Sequence, residues 1–485
     1  MACGRGHRSA WQPRQGTGTT PVPGEVLRAT LSELRAVLGG GLSTSTSERE
    51  HHSHDESHHR GPLPDAVAWC ESTDEVAALL QICSRHGVPV VPFGTGTGLE
   101  GGVVATHGGV AVNLSRMNRI LRVSSDDLDA TVQAGVTRVE LNDHLGQSGL
   151  FFPVDPGADA SLGGMAATRA SGTNAVRYGT MRENVLGLTV VLSDGRVLRT
   201  GGRARKSAAG YDLTRLFVGS EGTLGVITEI TVRLFGLPEH LVAAVCGFPQ
   251  MREAVDAVIR ILQCGILVAR MELLDDVMVD AVNRYSGLDF VAQPTLFFEF
   301  HGAPLSVDEQ VEEVREIVRE LGGSDLRKAE RREDRSAMWK ARHDALPAAK
   351  ALRPGAHTWS TDVCVPISRL ADCIVETKED IVVSGLLAPI AGHVGDGNFH
   401  LAFVLDLDDA DEMGRATALH ERLVARALAM EGTCTGEHGI GLGKQGFLRD
   451  EHGLGVEVMR EIKAALDPAG ILNPGKVFSP SRTIG

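Results

Sequence analysis

Three loops rich in small residues, each beside a Val-rich segment, constrain the fold more than any other feature of this sequence. They cover residues 94–102, 155–174 and 218–227. The 485 residues include 57 Gly, but these glycines cluster between apolar runs and lack the three-residue repeat of collagen. Consecutive Gly and Thr residues expose backbone N–H groups with no Cβ in the way, which suits phosphate binding. The sequence therefore predicts a globular domain whose loops together hold one long, phosphate-containing cofactor.

The order of apolar runs predicts an α+β protein with two main domains. Residues 62–240 alternate helices with strands predicted at 88–93, 109–114, 128–133, 186–192 and 225–234, and Asp194 and Gly195 form a hairpin turn. The pattern restarts after residue 241, with strands at 242–248, 269–274 and 295–301 and helices at 251–263, 276–284, 306–321, 410–430 and 456–466. Residues 241–485 are thus expected to form an α/β cap domain with an antiparallel sheet and a C-terminal helical segment.

The first glycine loop satisfies a familiar nucleotide fingerprint only formally. Gly96, Gly98 and Gly101 have the G-x-G-x-x-G spacing, but the dinucleotide-binding version must open a helix. Residues 102–114 are rich in Gly and β-branched side chains and read as a strand, so a classical NAD site is disfavoured. A P-loop is excluded at Lys444, because Gln445 follows it in place of Ser or Thr. Phosphate is expected to be held by backbone groups, without phosphoryl transfer.

Charge and hydropathy exclude two classes of function. The chain has 48 Lys and Arg against 62 Asp and Glu, a net charge of −14, and no long basic run, which argues against binding to nucleic acid. No apolar run approaches the ~18 residues of a spanning helix, so no transmembrane segment is expected. The 8 Cys are scattered without a Cys-x-x-Cys pair, and all are expected to be reduced.

Residues 1–61 are expected to form a transit-like segment, a helix and a linker. The first 24 residues contain Arg5, Arg8 and Arg14 but no acidic residue, a composition typical of organelle transit peptides. Leu residues spaced at three and four positions predict a helix over residues 23–38. The five histidines that follow are expected to lie in a solvated loop: His51, His52, His54, His58 and His59.

Four residues in the C-terminal third give the sharpest chemical signal. His393 and His400 flank a Gly-Asp-Gly-Asn segment that predicts a hairpin with both imidazoles on one face, and Glu437 and His438 lie together in a Gly-rich loop. Two His and one carboxylate leave open positions on a divalent metal, as catalytic sites do. We expect His393, His400 and Glu437 to bind metal and His438 to act as a general base. Taken alone, the same set also suits a metal-dependent hydrolase.

Five short motifs carry a resemblance to a known superfamily. They are Pro-Phe-Gly-Thr-Gly-Thr-Gly at 92–98, Pro-Gly-Ala-Asp at 156–159, Gly-Gly at 163–164, Ala-Ser-Gly-Thr at 170–173 and Gly-Ser-Glu-Gly-Thr-Leu-Gly at 219–225. In these motifs the chain resembles the FAD-binding domain of the vanillyl-alcohol oxidase / p-cresol methylhydroxylase superfamily. The resemblance implies FAD bound without a Rossmann fold, its diphosphate on the first loop and its isoalloxazine ring between the domains. It implies these cofactor-binding residues: Pro92, Gly94, Thr95, Gly96, Thr97, Gly98, Pro156, Gly157, Asp159, Gly163, Gly164, Thr168, Ser171, Gly172, Glu221, Gly222, Gly225, Ile227 and Asn473.

The histidine and glutamate set resembles, within that superfamily, the metal-containing flavin dehydrogenases of D-2-hydroxy acids. This resemblance implies a divalent metal, Zn²⁺ or Mn²⁺, that binds the 2-hydroxyl and carboxylate of the substrate. It implies hydride transfer from C2 to the flavin N5, with D-lactate or a related small D-2-hydroxy acid oxidised to the 2-oxo acid. Arg342 matches the substrate arginine of this group, and Asn398 is placed near the substrate. A mitochondrial location and an acceptor such as cytochrome c or another respiratory carrier are implied as well.

Two further alternatives stay open at the level of sequence. A D-2-hydroxyglutarate dehydrogenase of the same fold would need another cation for the distal carboxylate, for which Lys350 and Arg353 lie within reach along the chain. A flavoprotein that uses FAD as a template for a non-redox transfer is the other. Arg169 departs from the superfamily, which usually has a small residue there, and a bulky cation could either weaken flavin binding or contact its phosphate.

Overall fold

The computed structural model describes residues 22–478. Most of the transit-like segment predicted for residues 1–24 therefore lies outside the described residues.

The first domain contains two sheets. A four-stranded sheet has the order β1-β2-β4-β3, in which β4 runs parallel to β2 and β3, and an antiparallel five-stranded sheet has the order β5-β6-β10-β8-β9. Its strands, with the short pair β7 and β11, are β1 (Leu42–Ser43), β2 (Ala66–Trp69), β3 (Val90–Phe93), β4 (Val110–Asn113), β5 (Ile120–Ser124), β6 (Asp129–Gln133), β7 (Leu150–Phe151), β8 (Val185–Val191), β9 (Val197–Gly201), β10 (Val226–Arg233) and β11 (Phe235–Gly236).

The second domain is built on one antiparallel sheet of eight strands. Its order is β15-β12-β14-β13-β18-β19-β16, with β17 also paired to β19. These strands are β12 (His240–Gly247), β13 (Val268–Leu274), β14 (Thr295–Gly302), β15 (Arg327–Ala329), β16 (His357–Ser360), β17 (Val363–Cys364), β18 (Ile390–Gly392) and β19 (Asn398–Leu405).

Seventeen α-helices in the described part of the chain cover these sheets. They are α1 (Gly24–Leu38), α2 (Thr46–His51), α3 (Thr73–His86), α4 (Arg138–Leu145), α5 (Leu162–Thr168), α6 (Ala175–Tyr178), α7 (Met181–Asn184), α8 (Leu213–Phe217), α9 (Met251–Gln263), α10 (Asp276–Ser286), α11 (Pro304–Glu320), α12 (Arg332–His343), α13 (Ala345–Ala351), α14 (Leu370–Ser384), α15 (Ala410–Ala429), α16 (Leu448–His452) and α17 (Gly455–Leu466). Short 3₁₀ turns occur at Gly39–Gly41, Ile367–Arg369 and Val394–Asp396.

Local sequence explains the ends of these elements. Helix α3 begins after Ser72, whose side chain accepts a hydrogen bond from the Glu75 N–H, and it ends at Gly87 in the left-handed conformation with φ 65°. Helix α4 begins with a complete capping box of Thr137 and Glu140. That cap fixes Arg138, the first residue of the helix, beside the central cavity described below.

Separate hydrophobic cores underlie the two domains. One core joins the sheets of the first domain, and it also includes Ile471 and Leu472, so the chain returns to the first domain near its end. Two others lie on opposite faces of the eight-stranded sheet, one containing Phe298 and Phe300 and the other Phe297. The predicted α+β fold with an antiparallel cap sheet is confirmed, while the boundaries at residues 62 and 241 stay predictions.

The histidine-rich segment is not the solvated loop expected from sequence. Helix α2 precedes it, and His52 is only 1% exposed. Its ring packs 4.5 Å from that of Phe93, and Nε2 lies 2.8 Å from Asn113 Nδ2. His58 and His59 are half-buried, whereas His51 and His54 are exposed. The segment was misjudged because its partners, Phe93 and Asn113, lie 40 or more residues away along the chain.

The helices of the structure were compared with the length and apolar character of a membrane-spanning helix. Within residues 22–478, no helix combines the length and the apolar character needed to cross a bilayer. The seven cysteines in this part of the chain are free thiols.

Candidate active site

A cavity of about 850 Å³ lies between the glycine loops of the first domain and the sheet of the second. Both sets of predicted residues meet in its wall. From the first domain and the C-terminal segment it is lined by Pro92, Gly94, Thr95, Gly96, Thr97, Gly98, Pro156, Gly157, Gly163, Gly164, Thr168, Glu221, Gly222, Gly225, Ile227 and Asn473. From the second domain it is lined by Arg342, His393, His400, Glu437 and His438.

The glycine loops are tightly packed at their bases. Gly96 has φ +73°, and a Cβ there would lie 2.8 Å from the Phe93 ring. Gly222 has φ +70°, and a Cβ there would lie 2.8 Å from Cγ of Pro92. By contrast, a Cβ on Gly157 or Gly102 would meet nothing within 4 Å. Glycine is therefore required at positions 96 and 222, where φ is positive and a Cβ would collide with its neighbours. Gly157 and Gly102 instead leave open space over the cavity.

This cavity fits an elongated dinucleotide such as FAD. Among the lining residues, two with a buried polar atom that has no hydrogen-bond partner in the described part of the chain are Arg138, through Nε, and Asn473, through Oδ1. Buried polar groups are nearly always paired, so one donor and one acceptor here await a ligand. Arg138 was missed by sequence reasoning, because a charged residue in the first turn of a surface helix gives no signal.

Three predicted cofactor residues do not line the cavity. Asp159 accepts a hydrogen bond from the backbone N–H of Val139 at 3.2 Å, which fixes the start of α4. Ser171 and Gly172 lie just behind the wall, and Gly172 packs against the backbone of Asp155. The sequence places them correctly in a small-residue loop but cannot show which residues of that loop face inward.

Arg169, the departure from the superfamily, also lies outside the lining. It ends α5 in the left-handed conformation with φ 60°, and its Nη2 donates a hydrogen bond to the Val218 carbonyl at 3.2 Å. Its guanidinium covers Gly219, where a Cβ would lie 2.8 Å from Nε. The bulky side chain is accommodated because Gly219 leaves room for it.

The two histidines and the glutamate lie together as the hairpin pattern predicted. His393 follows β18 directly, and His400 lies in β19, so the two rings are 5.4 Å apart at 83°. The register differs in detail, since the residue paired with His400 is Ala391. Glu437 Oε1 lies 3.1 Å from Nε2 of His393 and 3.4 Å from Nε2 of His400.

This donor set fits a divalent cation. One ligand atom from each of His393, His400 and Glu437 lies within 4.8 Å of the others, and two imidazoles with a carboxylate suit Zn²⁺ or Mn²⁺. Burial alone would lower the pKa of His393, but the carboxylates of Glu272 and Glu437 raise that pKa well above its ordinary value. Burial opposes ionisation of Glu437, yet the same histidines hold its pKa well below the usual range. The pocket therefore favours positive charge.

His438 has the properties of a neutral base. Its ring stacks on His400 at 5.0 Å, its Nε2 lies 3.9 Å from Glu437 Oε1, and its Nδ1 is buried without a partner. Burial lowers the pKa of His438 to about 4, although the nearby Asp362 carboxylate opposes the shift. The imidazole is thus uncharged near neutral pH and can accept a proton.

Asp362 organises the loop that carries Glu437 and His438, and sequence reasoning missed it. Its Oδ2 accepts hydrogen bonds from the backbone N–H groups of Glu437 at 2.9 Å and His438 at 3.0 Å. Asn398, predicted near the substrate, is instead buried outside the cavity lining and donates from Nδ2 to Oδ1 of Asp362 at 2.7 Å. Burial raises the pKa of Asp362, but Lys444 and the histidines outweigh it and hold that pKa well below the usual range.

Arg342 reaches the same cavity from α12. Its Nε donates to Glu272 Oε2 at 2.6 Å, and no described residue accepts a hydrogen bond from its Nη1 or Nη2. Glu272 was also missed, because Arg270 and Glu272 alternate with apolar residues in β13, a pattern typical of a strand with one exposed face. Lys350 and Arg353 do not line the cavity: Lys350 is exposed, and Arg353 pairs with Glu412 at 2.7 Å. Lys350 lies near the end of α13, and Arg353 lies two residues beyond that helix.

Comparisons with known proteins agree with this geometry. Residues 64–201 match the family model described as FAD binding domain, and residues 237–477 match the model described as FAD linked oxidases, C-terminal domain. A relative from Danio rerio, named "Probable D-lactate dehydrogenase, mitochondrial", is 58% identical over 93% of this chain and 92% of its own length. The chain belongs to the FAD-linked oxidase family. The predicted superfamily and its FAD cofactor are thereby confirmed.

A second relative and a solved structure are similar to this chain over most of their length. A protein of Arabidopsis thaliana named "D-lactate dehydrogenase [cytochrome], mitochondrial" is 45% identical over 94% of this chain and 81% of its own. The crystal structure of p-cresol methylhydroxylase has a TM-score of 0.77 at 18% identity, covering 94% of this chain and 98% of that one. At this identity the likeness shows the fold alone, and that fold is the predicted one.

Proposed function

We propose that this FAD-linked oxidase is a metal-dependent D-lactate dehydrogenase that oxidises D-lactate, and related small D-2-hydroxy acids, to the 2-oxo acid. One observation carries the proposal: a metal-type donor set, a neutral histidine and an arginine whose Nη1 and Nη2 have no acceptor among the described residues face the same cavity as the glycine loops. The names printed for the relatives from Danio rerio and Arabidopsis thaliana support this substrate. A metal-dependent hydrolase would have no need of the glycine-lined half of the cavity.

FAD, when bound, supplies the acceptor for the hydride that leaves C2 of the substrate. The backbone of residues 94–98 would hold its diphosphate, since that loop offers N–H groups on an open face. Arg138 would add a charged donor, and Asn473 an acceptor, through atoms that otherwise have no partner. Asn473 is itself held in place, because its Nδ2 donates to the Gly102 carbonyl at 3.0 Å and the Glu221 carbonyl at 2.8 Å.

His393, His400 and Glu437 would hold the divalent metal, which when bound supplies a Lewis acid that lowers the pKa of the substrate hydroxyl. The remaining steps belong to the side chains. Nε2 of His438, the ring nitrogen nearest to the metal-type donor set, takes the hydroxyl proton. The Nη1 and Nη2 atoms of Arg342 bind the substrate carboxylate as a two-pronged donor. These two contacts place C2 of the substrate between the second domain and the glycine loops.

The location and acceptor follow from the relatives in the same way. Both relatives carry "mitochondrial" in their printed names, and that from Arabidopsis thaliana also carries "cytochrome". We therefore assign the protein to the mitochondrion, with a cytochrome or another respiratory carrier as electron acceptor.

The 2-hydroxyglutarate alternative loses its two sequence-based candidates, because neither Lys350 nor Arg353 lines the cavity. Arg270 does line it, but its guanidinium is engaged by Asp155 at 3.2 Å and Glu299 at 3.6 Å. Apart from Arg138, which we assign to the flavin, and Arg342, which we assign to the substrate carboxylate, no described Lys or Arg of the lining is left for a second carboxylate.

An anaerobic titration tests the proposal. The visible flavin band of the purified protein is recorded with D-lactate, L-lactate or D-2-hydroxyglutarate, before and after chelation of metal. We expect D-lactate to bleach the band, EDTA to abolish the bleaching, and added Mn²⁺ or Zn²⁺ to restore it. Faster bleaching by D-2-hydroxyglutarate would make that acid the assigned substrate in place of D-lactate. Bleaching by none of the 2-hydroxy acids would favour the flavoprotein that uses FAD as a template for a non-redox transfer.

A further inference from the structure

Glu272 is a fully buried carboxylate beside the candidate metal site. It lies in β13 and has 0% of its surface exposed. A carboxylate in such a place is expensive to keep unless it is paired and hydrogen-bonded. Both of its oxygens are used, and each contacts a different element of the candidate site.

The two contacts are short and direct. Oε1 lies 2.7 Å from Nδ1 of His393, and Oε2 accepts a hydrogen bond from Nε of Arg342 at 2.6 Å. His393 follows β18, whereas Arg342 lies in α12, so Glu272 joins two parts of the chain that are 51 residues apart in sequence. No other described residue contacts both side chains by hydrogen bonds.

Each contact leaves a defined group free for ligand. An acceptor at Nδ1 keeps a proton on that nitrogen, so the proton that His393 gives up when it binds a metal is the one on Nε2, which lies 3.1 Å from Glu437 Oε1. A bond at Nε of Arg342 fixes the plane of the guanidinium and leaves Nη1 and Nη2 with no hydrogen-bond acceptor among the described residues. One carboxylate thereby sets the tautomer of a ligand histidine and the direction of the arginine fork.

We propose that Glu272 is a positioning residue that couples metal binding at His393 to carboxylate binding at Arg342. The inference rests on the proposed function, and it adds a residue to which no binding or catalytic role has been given. Removing Glu272 should weaken both metal affinity and substrate affinity. If Glu272 only balanced charge, a carboxylate with a different geometry would serve equally well.

The Glu272→Gln variant separates these effects, because an amide has one acceptor and one donor. If the amide NH₂ faces His393, Nδ1 must become the acceptor and Nε2 carries the proton, so that nitrogen cannot bind metal. If the NH₂ faces Arg342, two donors meet and the guanidinium must rotate. Glu272→Asp keeps the charge but withdraws the carboxylate by one methylene, so it cannot reach both partners.

Glu299→Gln is a matched control from the neighbouring strand. Glu299 is also a buried glutamate held between a histidine and an arginine, with His301 Nε2 at 2.7 Å and Arg270 Nε at 3.6 Å. It contacts neither His393 nor Arg342. Its variant therefore reports what the loss of a buried carboxylate does to this sheet in general.

The experiment measures Mn²⁺ affinity of the metal-stripped flavoprotein by electron paramagnetic resonance, together with kcat and KM for D-lactate at saturating Mn²⁺. Far-UV circular dichroism and bound flavin check folding. We expect Glu272→Gln and Glu272→Asp to lower Mn²⁺ affinity about 10–100-fold, as removal of a partner of a metal-bound histidine does. KM should also rise, whereas Glu299→Gln should keep the Mn²⁺ affinity of the wild type.

Three results would overturn the inference. Wild-type affinity and KM in Glu272→Asp would show that charge alone matters. Equal effects in Glu272→Gln and Glu299→Gln would show a general role in the sheet. A wild-type protein that oxidises D-lactate without binding Mn²⁺ or Zn²⁺ would refute the metal site of the proposed function as well, and it is recognised without any variant.

Discussion

His420 gives a prediction about stability and pH that is independent of catalysis. It lies in α15, is 5% exposed, and packs between the rings of Trp359 at 5.2 Å and Phe447 at 5.5 Å. Burial, helped by the positive charge of Lys444, lowers the pKa of His420 from 6.5 to about 3. The folded state therefore resists protonation of a group that the unfolded chain protonates readily.

The sign and size follow from linkage. Because the folded pKa lies below the unfolded one, the contribution to stability is complete above pH 6.5 and is lost as pH falls toward 3. Between about pH 7.5 and about pH 5, only the unfolded state binds this proton, and the free energy of unfolding falls by about 2 kcal/mol. This figure is the contribution of His420 alone, and the contributions of the other titrating groups add to it.

The His420→Phe variant removes the titrating group and keeps an aromatic ring between Trp359 and Phe447. The free energy of unfolding in urea is measured on metal-stripped protein at about pH 7.5 and about pH 5. Its fall between these two pH values should be smaller in His420→Phe than in the wild type by about 2 kcal/mol. The exposed His144 offers a control, since His144→Phe should keep the wild-type loss. Equal losses in the wild type and His420→Phe would refute the reasoning.

Three further predictions concern the site and its hairpin. His438→Gln should lower kcat for D-lactate about 10²–10⁴-fold with unchanged Mn²⁺ affinity, and a parallel loss of Mn²⁺ would make His438 a ligand. Asp362→Asn should cost about 1.5–3 kcal/mol in urea unfolding, because a charged acceptor of two backbone N–H groups is lost; a change within experimental error would contradict its organising role. Gly397→Ala should lower the melting temperature, because Gly397 has φ +79° and its Cβ would collide with the Val365 carbonyl; an unchanged melting temperature would show that the hairpin can shift.

Much of the fold could be predicted because its signals are local. The strand β10 and the helix α9 follow short-range apolar periodicity, and the glycine loops combine small residues with positive φ angles. Helix α12 gave no such signal, since charged residues occur around most of its circumference. It packs through Met338, Trp339 and Ala341, which join the core on one face of the cap sheet.

The sequence predicts the metal-type donor residues of the candidate site, but it does not predict the buried carboxylates that hold those residues in position. His393, His400 and Glu437 have strong chemical character and lie in Gly-rich segments, which are features of the sequence itself. Glu272 and Asp362 were missed because their importance depends on burial and on partners far away in the chain. Carboxylates are common on protein surfaces, whereas a buried carboxylate is costly unless it is paired and hydrogen-bonded. The sequence alone does not show which of the two environments a given Asp or Glu occupies.

Glu221 shows how the two halves of the cavity are kept together. It is the one charged residue of its small-residue loop, and it has φ 51°, a conformation that is unfavourable for a residue with a Cβ. Its carboxylate accepts hydrogen bonds from the backbone N–H groups of Ile440 and Gly441, both at 2.7 Å. Ile440 and Gly441 lie two and three residues after His438, so a loop of the first domain holds the loop of the second that carries Glu437 and His438. Both carboxylate oxygens are satisfied in this conformation, which offsets the cost of the unfavourable φ angle and links the glycine loops to the segment that carries Glu437 and His438.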